Sequence, residues 1–233
     1  MANIAIDNAH ILVAGTTGSG KSTLLHSIIC SIMNGCDMYL VDPKRTELVK
    51  YKNCKSVWRY ATTASETVSL LDSVIARMEE RLKRMGRKGL SMSDEDHVFV
   101  IIDELADLMI SPEAKEIKLR IQKITQLGRA ARVHVIACTQ SPSRKTLDAA
   151  MVLNFTCRIG LACADTIESR QIIGMSGCEF LPIPKPGDAN QTRQMIVKYA
   201  GDRNAYKMDI PYTTPTYIAQ KTQQQKRRFL GIF

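Results

Sequence analysis

No stretch of the 233 residues approaches the ~20 consecutive apolar side chains that a bilayer-spanning helix needs. The first residues also lack the basic-then-apolar layout of a secretory signal. A soluble, cytoplasmic protein is the expectation, with any membrane association coming through a partner or a missing N-terminal segment. Disulfide and zinc chemistry are equally unsupported. The seven cysteines (Cys30, Cys36, Cys54, Cys138, Cys157, Cys163 and Cys178) are odd in number and include no Cys-x-x-Cys pair. Most lie in apolar surroundings, so buried free thiols in a reducing compartment explain them better. The four histidines, His10, His26, His97 and His134, are scattered and form no ligand cluster. No internal repeat is present.

What remains is the composition of a globular chain, 45% hydrophobic, long enough for one large α/β domain with a sizeable core. Its formal charge is +9. A surplus of that size suits a polyanion, nucleic acid first, although a merely soluble basic surface fits the charge as well. Short apolar runs at residues 11–14, 38–41, 98–102, 133–138, 157–162 and 194–199 read as strands. The unbroken run Val98-Phe99-Val100-Ile101-Ile102 belongs to a strand covered on both faces. Between the strands, residues 22–30, 64–85 and 113–132 carry helical periodicity, with Val68, Leu71, Val74, Ile75 and Met78 on one face of the second stretch and Ala114, Ile117, Ile121 and Ile124 on one face of the third. The Arg/Lys cluster at 81–88 suits a solvated helix end better than a nucleic-acid site. Pro182, Pro184 and Pro186 make 181–188 a loop. Strands alternating with helices predict a mostly parallel sheet with helices on both faces, occupying residues 1–210. A basic polar tail follows over 211–233, mobile or ordered only against a neighbour.

The string Gly15-Thr16-Thr17-Gly18-Ser19-Gly20-Lys21-Ser22 lies between the first strand and the first helix. Strand, glycine-rich turn and helix N-terminus together form an anion site. Glycines allow backbone angles that gather several N–H groups around one phosphate. Residues Gly15 to Thr23 are therefore the expected phosphate contacts. Lys21 is the charge that reaches the β- and γ-phosphates, and the Ser22 hydroxyl is a Mg²⁺ ligand. A chance glycine- and serine-rich turn is the competing explanation, and the surrounding strand and helix argue against it.

Asp103 and Glu104 follow the run at 98–102, which would deliver two carboxylates to the γ-phosphate end of the same crevice. Asp103 is the expected Mg²⁺ holder through its water shell, and Glu104 the base that polarises the attacking water. An ordinary strand end followed by an acidic helix cap is the alternative. Gln140 ends the next strand at the same edge. It is a candidate to hydrogen-bond the γ-phosphate or its water, or else a plain polar terminus. The guanine-specific Asn-Lys-x-Asp pattern is missing, which favours ATP.

These pieces resemble the motor domain of FtsK/SpoIIIE-type DNA translocases. The segment from His10 to Ser22 is similar to the family's phosphate loop, and Val41-Asp42-Pro43-Lys44 with Glu47-Leu48 to its "DPK…EL" segment. Met78-Glu79-Glu80-Arg81 resembles its M-E-x-R stretch. Ile102-Asp103-Glu104-Leu105-Ala106-Asp107-Leu108-Met109 resembles "DEFADLM". Gly128-Arg129-Ala130-Ala131-Arg132-Val133-His134, with Ala137-Cys138-Thr139-Gln140-Ser141-Pro142-Ser143, resembles "RAAGIH…ATQRPS". Asn154-Phe155-Thr156-Cys157-Arg158-Ile159 resembles "NIPTRIAF", and Asp165-Thr166-Ile167-Glu168-Ser169-Arg170 resembles "KIDSR". The match runs unbroken from about residue 10 to about residue 200.

The resemblance implies a RecA-like P-loop NTPase that assembles as a homo-oligomeric ring, usually a hexamer, around double-stranded DNA. ATP and Mg²⁺ would sit between subunits and hydrolysis would move the duplex, as in segregation or conjugative transfer. It makes Arg158 the candidate arginine finger toward a neighbour's γ-phosphate, with Arg129 and Arg132 as weaker ones. Arg170, Lys185 and Arg193 become candidate DNA-phosphate contacts of the salt-sensitive, sequence-blind kind. Ser141 stands where the family has arginine, and the loop after Gly174 differs from the family's. Those departures favour a mobile-element relative or a truncated piece over a chromosome-segregation protein. Two other activities fit parts of the sequence. One is an ATP-switched DNA-binding or assembly protein with little turnover. The other is a small-molecule P-loop kinase, which the basic balance and the Arg158 segment argue against.

Overall fold

The computed structural model describes residues 4, 6–140, 149–184 and 192–226. Its strands are β1 (Ile11–Ala14), β2 (Cys36–Val41), β3 (Val57–Ala61), β4 (His97–Ile102), β5 (Val133–Thr139), β6 (Cys157–Gly160), β7 (Gln194–Tyr199) and β8 (Tyr206–Asp209). Its helices are α1 (Lys21–Ile32), α2 (Ala64–Lys88), α3 (Leu105–Met109), α4 (Ala114–Leu127), α5 (Ala149–Leu153), α6 (Thr166–Ile173) and α7 (Pro215–Gln224). All strands join one sheet in the order β3-β2-β4-β5-β1-β6-β7-β8. From β3 to β6 neighbouring strands run parallel, and β7 and β8 add an antiparallel edge.

The apolar runs are continuous because both faces of the sheet are covered. Along β1, Ile11 and Val13 pack with Leu24, Leu25, Ile28 and Ile29 of α1. Leu12 points to the other side, into a core with Leu71, Val74 and Met78 of α2 and Ile117, Ile121 and Ile124 of α4. The neighbours alternate in step: Phe99, Ile101, Ile136 and Cys138 join the first core, and Val98, Val100, Ile102, Val133 and Val135 the second. A period of two with no polar face marks a doubly covered parallel sheet. Register then fixes the functional edge. Ala14 pairs with Thr139 on one side and Gly160 on the other, and Ile102 pairs with Ala137. The carboxyl ends of β1, β4, β5 and β6 therefore line up, and ligand crevices of open α/β sheets form at such edges.

Several elements depart from the sequence expectation. Strands β3 and β8 were not anticipated; they are edge strands whose exposed Trp58, Arg59, Tyr206 and Lys207 break the apolar pattern. Helix α2 does not stop before Gly86 but runs to Lys88, where Gly89 caps it at φ 67°. Its start follows a full capping box: Glu66 N–H donates to Thr63 Oγ1 at 3.2 Å and Thr63 N–H to Glu66 Oε2 at 3.1 Å. Helix α4 is shorter than 113–132, ending at Leu127.

The basic cluster at 81–88 is not simply a solvated helix end. Arg81 is buried, donates to the Ala131 carbonyl at 2.9 Å and pairs with Glu95 at 3.2 Å. Nor does the tail begin as an unanchored polar segment. Thr214 Oγ1 caps α7 by accepting from Tyr217 N–H at 3.1 Å, and Pro215 occupies the first turn. Ile218 enters the α1-side core. Lys55 N–H donates to the Gln225 carbonyl at 2.7 Å, and a bridge joins Cys54 to Lys226. All seven cysteines are free and buried, as expected, and burial holds the Cys36 and Cys157 thiols up at about 12. Among the described residues, no helix is long and apolar enough to cross a membrane.

Candidate nucleotide-binding site

The phosphate loop closes the gap between β1 and α1. Gly18 at φ 83° and Gly20 at φ 105° take left-handed angles that a side chain would strain. Gly15 N–H donates to the Thr139 carbonyl at 3.3 Å and Thr16 N–H to Ala162 at 2.9 Å, tying the loop to the ends of β5 and β6. The Thr16 hydroxyl is spent on the same Ala162 carbonyl at 3.0 Å. That of Thr17 donates to Gln140 Oε1 at 3.2 Å. Beyond Gly20 the backbone enters α1, so Lys21, Ser22 and Thr23 present the first-turn N–H groups of a helix.

Lys21 is buried and its ammonium faces the end of β4. Nζ donates to the Asp103 carbonyl at 3.0 Å and lies 3.4 Å from Glu104 Oε2 and 3.6 Å from Asp103 Oδ1. Burial disfavours its charge, but Cys138, Asp103 and Glu104 around it together outweigh that and raise its pKa. Burial also raises Asp103, against the pull of Lys21. Glu104 goes the other way. Burial opposes its charge, yet Lys21, the Gln140 N–H at 3.0 Å and Lys44 at 3.3 Å hold it below the usual range. The structure thus gathers Lys21, Ser22, Asp103, Glu104 and Gln140 in one crevice.

Two residues of that crevice were quoted in the sequence without a role. Asp42 follows β2 fully buried, and its carboxylate accepts from the N–H groups of Thr46 (3.3 Å), Leu48 (2.9 Å) and Val49 (3.2 Å) and from Tyr60 Oη–H (3.2 Å). This side chain folds the following loop, an Asx-type use of a short acid. The fold carries Lys44 to Glu104 and Glu47 to Ser22. The Ser22 hydroxyl donates to Glu47 Oε1 at 2.9 Å, and His26 Nε2 lies 2.9 Å from Glu47 Oε2. Although burial works against it, these partners keep Glu47 ionised below its ordinary range. Only the "DPK…EL" string pointed to the pair.

The donor set suits Mg²⁺. Asp103 Oδ1 is buried and makes no hydrogen bond among the described residues, so a carboxylate oxygen is left to a cation or its water. Ser22 spends its proton on Glu47 and keeps its lone pairs. Among the described residues no group of three or more His, Cys, Asp or Glu forms a self-sufficient metal cage. A hard cation here would take its remaining ligands from phosphate and water.

The other expected site residues scatter. Arg193 does not join Arg170. It reaches over from just before β7 to the phosphate loop, with Nε 3.5 Å from the Gly18 carbonyl, and its Cδ would stand 2.7 Å from a Cβ on Gly20. Together with Thr17, Lys21, Glu47 and Gln140 it lines a cavity of about 300 Å³. Arg170 is exposed on α6. Arg158 sits mid-strand on β6, between Leu12 and Lys198, with its guanidinium beside Gly174. Burial lowers its pKa. It does not enter the crevice of its own chain. Lys185 lies outside the described residues.

The FtsK/SpoIIIE family model matches residues 1–97 and 86–144. DNA translocase FtsK of Chlorobaculum tepidum is 33% identical over 197 residues, covering 74% of this chain and 24% of that protein. DNA translocase FtsK of Staphylococcus aureus is 35% identical over 216 residues, covering 79% and 27%. The chain therefore spans about a quarter of the length of the curated relatives it matches. Among solved structures, the pCW3 conjugation coupling protein TcpA, in a monomer form with ATPγS, superposes with a TM-score of 0.79 at 24% identity over 94% of this chain and 65% of that one. The cytoplasmic domain of the Thermomonospora curvata Type VII secretion ATPase EccC gives 0.75 at 21% identity over 93% and 28%. The fold is that of the RecA-like P-loop ATPases.

Proposed function

Since this chain belongs to the FtsK/SpoIIIE family, we propose that it is the ATP-hydrolysing motor part of a DNA translocase. The observation that carries this reading is the convergence on one sheet edge of Lys21, Ser22, Asp103, Glu104 and Gln140. The net charge of +9 supports a nucleic-acid partner.

In the proposed reaction the triphosphate enters over the loop N–H groups, and Lys21 turns from Asp103 and Glu104 toward the phosphates. Ser22 and Asp103 would hold Mg²⁺, which when bound would supply positive charge to the phosphate oxygens. Glu104 orients the attacking water and accepts its proton, while Gln140 fixes the water or the γ-phosphate. Lys44 keeps Glu104 anionic and in place. Such parts work by positioning and charge.

Arg158, absent from its own crevice, is read as a finger for a neighbouring subunit in a homo-oligomeric ring, a hexamer in this reading, with Arg170 facing double-stranded DNA. Membrane association, through a partner, belongs to the same reading. Mixing inactive subunits tests the ring. Arg158→Ala and Glu104→Gln chains, each inactive alone, should recover hydrolysis together, because mixed interfaces pair an intact finger with an intact glutamate. No recovery at any ratio would remove Arg158 from that role.

One observation favours a second reading, a nucleotide-switched assembly protein with little turnover. Both oxygens of Glu104 are already engaged, one by Gln140 N–H and the other by Lys21 and Lys44. Hydrolysis then waits on a rearrangement.

A further inference from the structure

Two long segments of the chain carry no acidic residue. Residues 48–65 hold Lys50, Lys52, Lys55 and Arg59, and residues 210–233 hold Lys221, Lys226, Arg227 and Arg228. Those eight cations stand against a net charge of +9 for the whole chain. The fold joins the two segments. Lys55 N–H donates to the Gln225 carbonyl at 2.7 Å, and an antiparallel bridge links Cys54 to Lys226. We infer that this joined basic surface, with the apolar string that follows it in sequence, docks on the anionic face of a lipid bilayer. The inference goes beyond the nucleotide site and does not depend on it.

The cations of this surface are available. Lys52, Lys55 and Lys226 are exposed, and among the described residues none of them forms an ion pair. Lys50, also exposed, shares His26 Nε2 with Glu47. Elsewhere cations of the surface meet carboxylates: Arg84 with Glu95, Lys88 with Asp94, Arg120 with Asp72 and Lys123 with Glu79. An uncompensated basic surface raises the local concentration of a polyanion.

The apolar share decides between a bilayer and a nucleic acid. Past Lys226 the sequence reads Arg227-Arg228-Phe229-Leu230-Gly231-Ile232-Phe233, outside the described residues: two further cations, then four large apolar side chains. Cations with Phe, Leu and Ile directly behind them suit a segment lying in a membrane interface. A phosphate backbone gives such side chains nothing to enter. Stable anchoring takes two signals, such as a polybasic patch and inserted apolar area, and both occur here. Trp58 adds an interfacial aromatic. It stands on the edge strand β3, three residues past Lys55 and so within about 10 Å of it along the chain. Its ring is 56% exposed, with Arg77 over one face at 4.8 Å and Asp37 paired to that arginine.

The surface is preformed as far as Lys226. Thr214 caps α7, Ile218 anchors it in the α1-side core, and Gln225 Nε2 donates to Asn34 Oδ1 at 2.8 Å, just past the end of α1. Little of the binding free energy is then lost to ordering the cations.

Sedimentation of the full chain with vesicles tests the assignment, using equimolar phosphatidylserine and phosphatidylcholine against phosphatidylcholine alone. Binding should require phosphatidylserine and weaken as salt rises. Trp58 is the one tryptophan of the chain, so its emission should shift to the blue on the mixed vesicles only. Each cation near an anionic leaflet is worth about fivefold in affinity. Lys52→Glu combined with Lys55→Glu should therefore cost about tenfold or more, and Phe229→Ser combined with Phe233→Ser several-fold, with ATP hydrolysis unchanged in both. If the lysine pair does not fold by circular dichroism, the phenylalanine pair decides alone. Vesicles ignored, vesicles bound equally without phosphatidylserine, or parent-like binding in both variants would overturn the membrane surface. Duplex DNA that loses affinity in the lysine variant, with vesicles ignored by the parent chain, would assign the surface to nucleic acid instead.

Discussion

Lys44 Nζ stands 3.3 Å from Oε2 of Glu104, across 60 residues of sequence. The contact exists because buried Asp42 folds the loop after β2, and it gives the candidate base a cation besides Lys21. Lys44→Ala should leave nucleotide affinity nearly unchanged. The carboxyl of Glu104, relieved of one of the charges that depress it, should titrate at higher pH. The acid limb of the hydrolysis profile should move upward accordingly. A profile superimposable on that of the parent chain would deny Lys44 this role.

Glu104→Gln preserves shape and removes the proton acceptor. Equilibrium binding of ATP should persist while turnover falls by about two orders of magnitude or more. Lys21→Ala should weaken binding itself. Full turnover in Glu104→Gln would send the search for the base elsewhere, with Glu47 the next carboxylate in the crevice.

Glu47 holds the Ser22 hydroxyl proton, and a group one shell out from a metal typically tunes affinity by about tenfold to a hundredfold. Glu47→Ala should raise the Mg²⁺ concentration needed for half-maximal nucleotide binding, and Glu47→Gln should recover part of the loss. Equal Mg²⁺ dependence in parent and Glu47→Ala would reduce the contact to loop packing.

Arg193 and Arg170 separate by assay. Arg193→Ala should alter nucleotide affinity, since its side chain lies on the phosphate loop. Arg170→Ala should weaken duplex binding uniformly across sequences and lower the salt slope by about one. The reverse pattern would restore Arg193 to the DNA surface and remove Arg170 from it.

His10 and His134 are buried and held neutral, mainly by desolvation. Their pKa values are about 4 and about 3, against 6.5 for the free side chain. Below pH 6.5 the unfolded chain takes up protons that the folded chain refuses. Stability should therefore fall as pH drops from 6.5 toward 4 and below, each pKa unit being worth about 1.4 kcal/mol. Denaturant midpoints at pH 7 and pH 5 measure this. His134→Phe should flatten the dependence; an equally steep slope in that variant would locate it elsewhere.

What could be read from the sequence was what is contiguous in it. The phosphate loop, the Asp103-Glu104 pair and the doubly covered strands are local strings whose residue types declare their chemistry. What stayed hidden depends on contacts between distant segments. Lys44 and Glu47 acquire roles only through the turn that Asp42 organises. Arg193 meets Gly18 across 175 residues, and nothing in its surroundings distinguishes it from a DNA-facing arginine. Arg81 and α7 misled for the same reason. A basic cluster and a polar tail look solvated until Ala131, Glu95 and the α1-side core supply partners.

The most direct measurement is the steady-state rate of ATP hydrolysis by the purified chain with and without duplex DNA, at fixed Mg²⁺ and moderate salt. A DNA-moving motor should be stimulated several-fold or more by duplex, with the gain abolished in Glu104→Gln and eroded as salt rises. Slow hydrolysis that ignores the duplex, in a chain that binds both ATP and DNA, would contradict the motor and leave the nucleotide-switched assembly protein in its place.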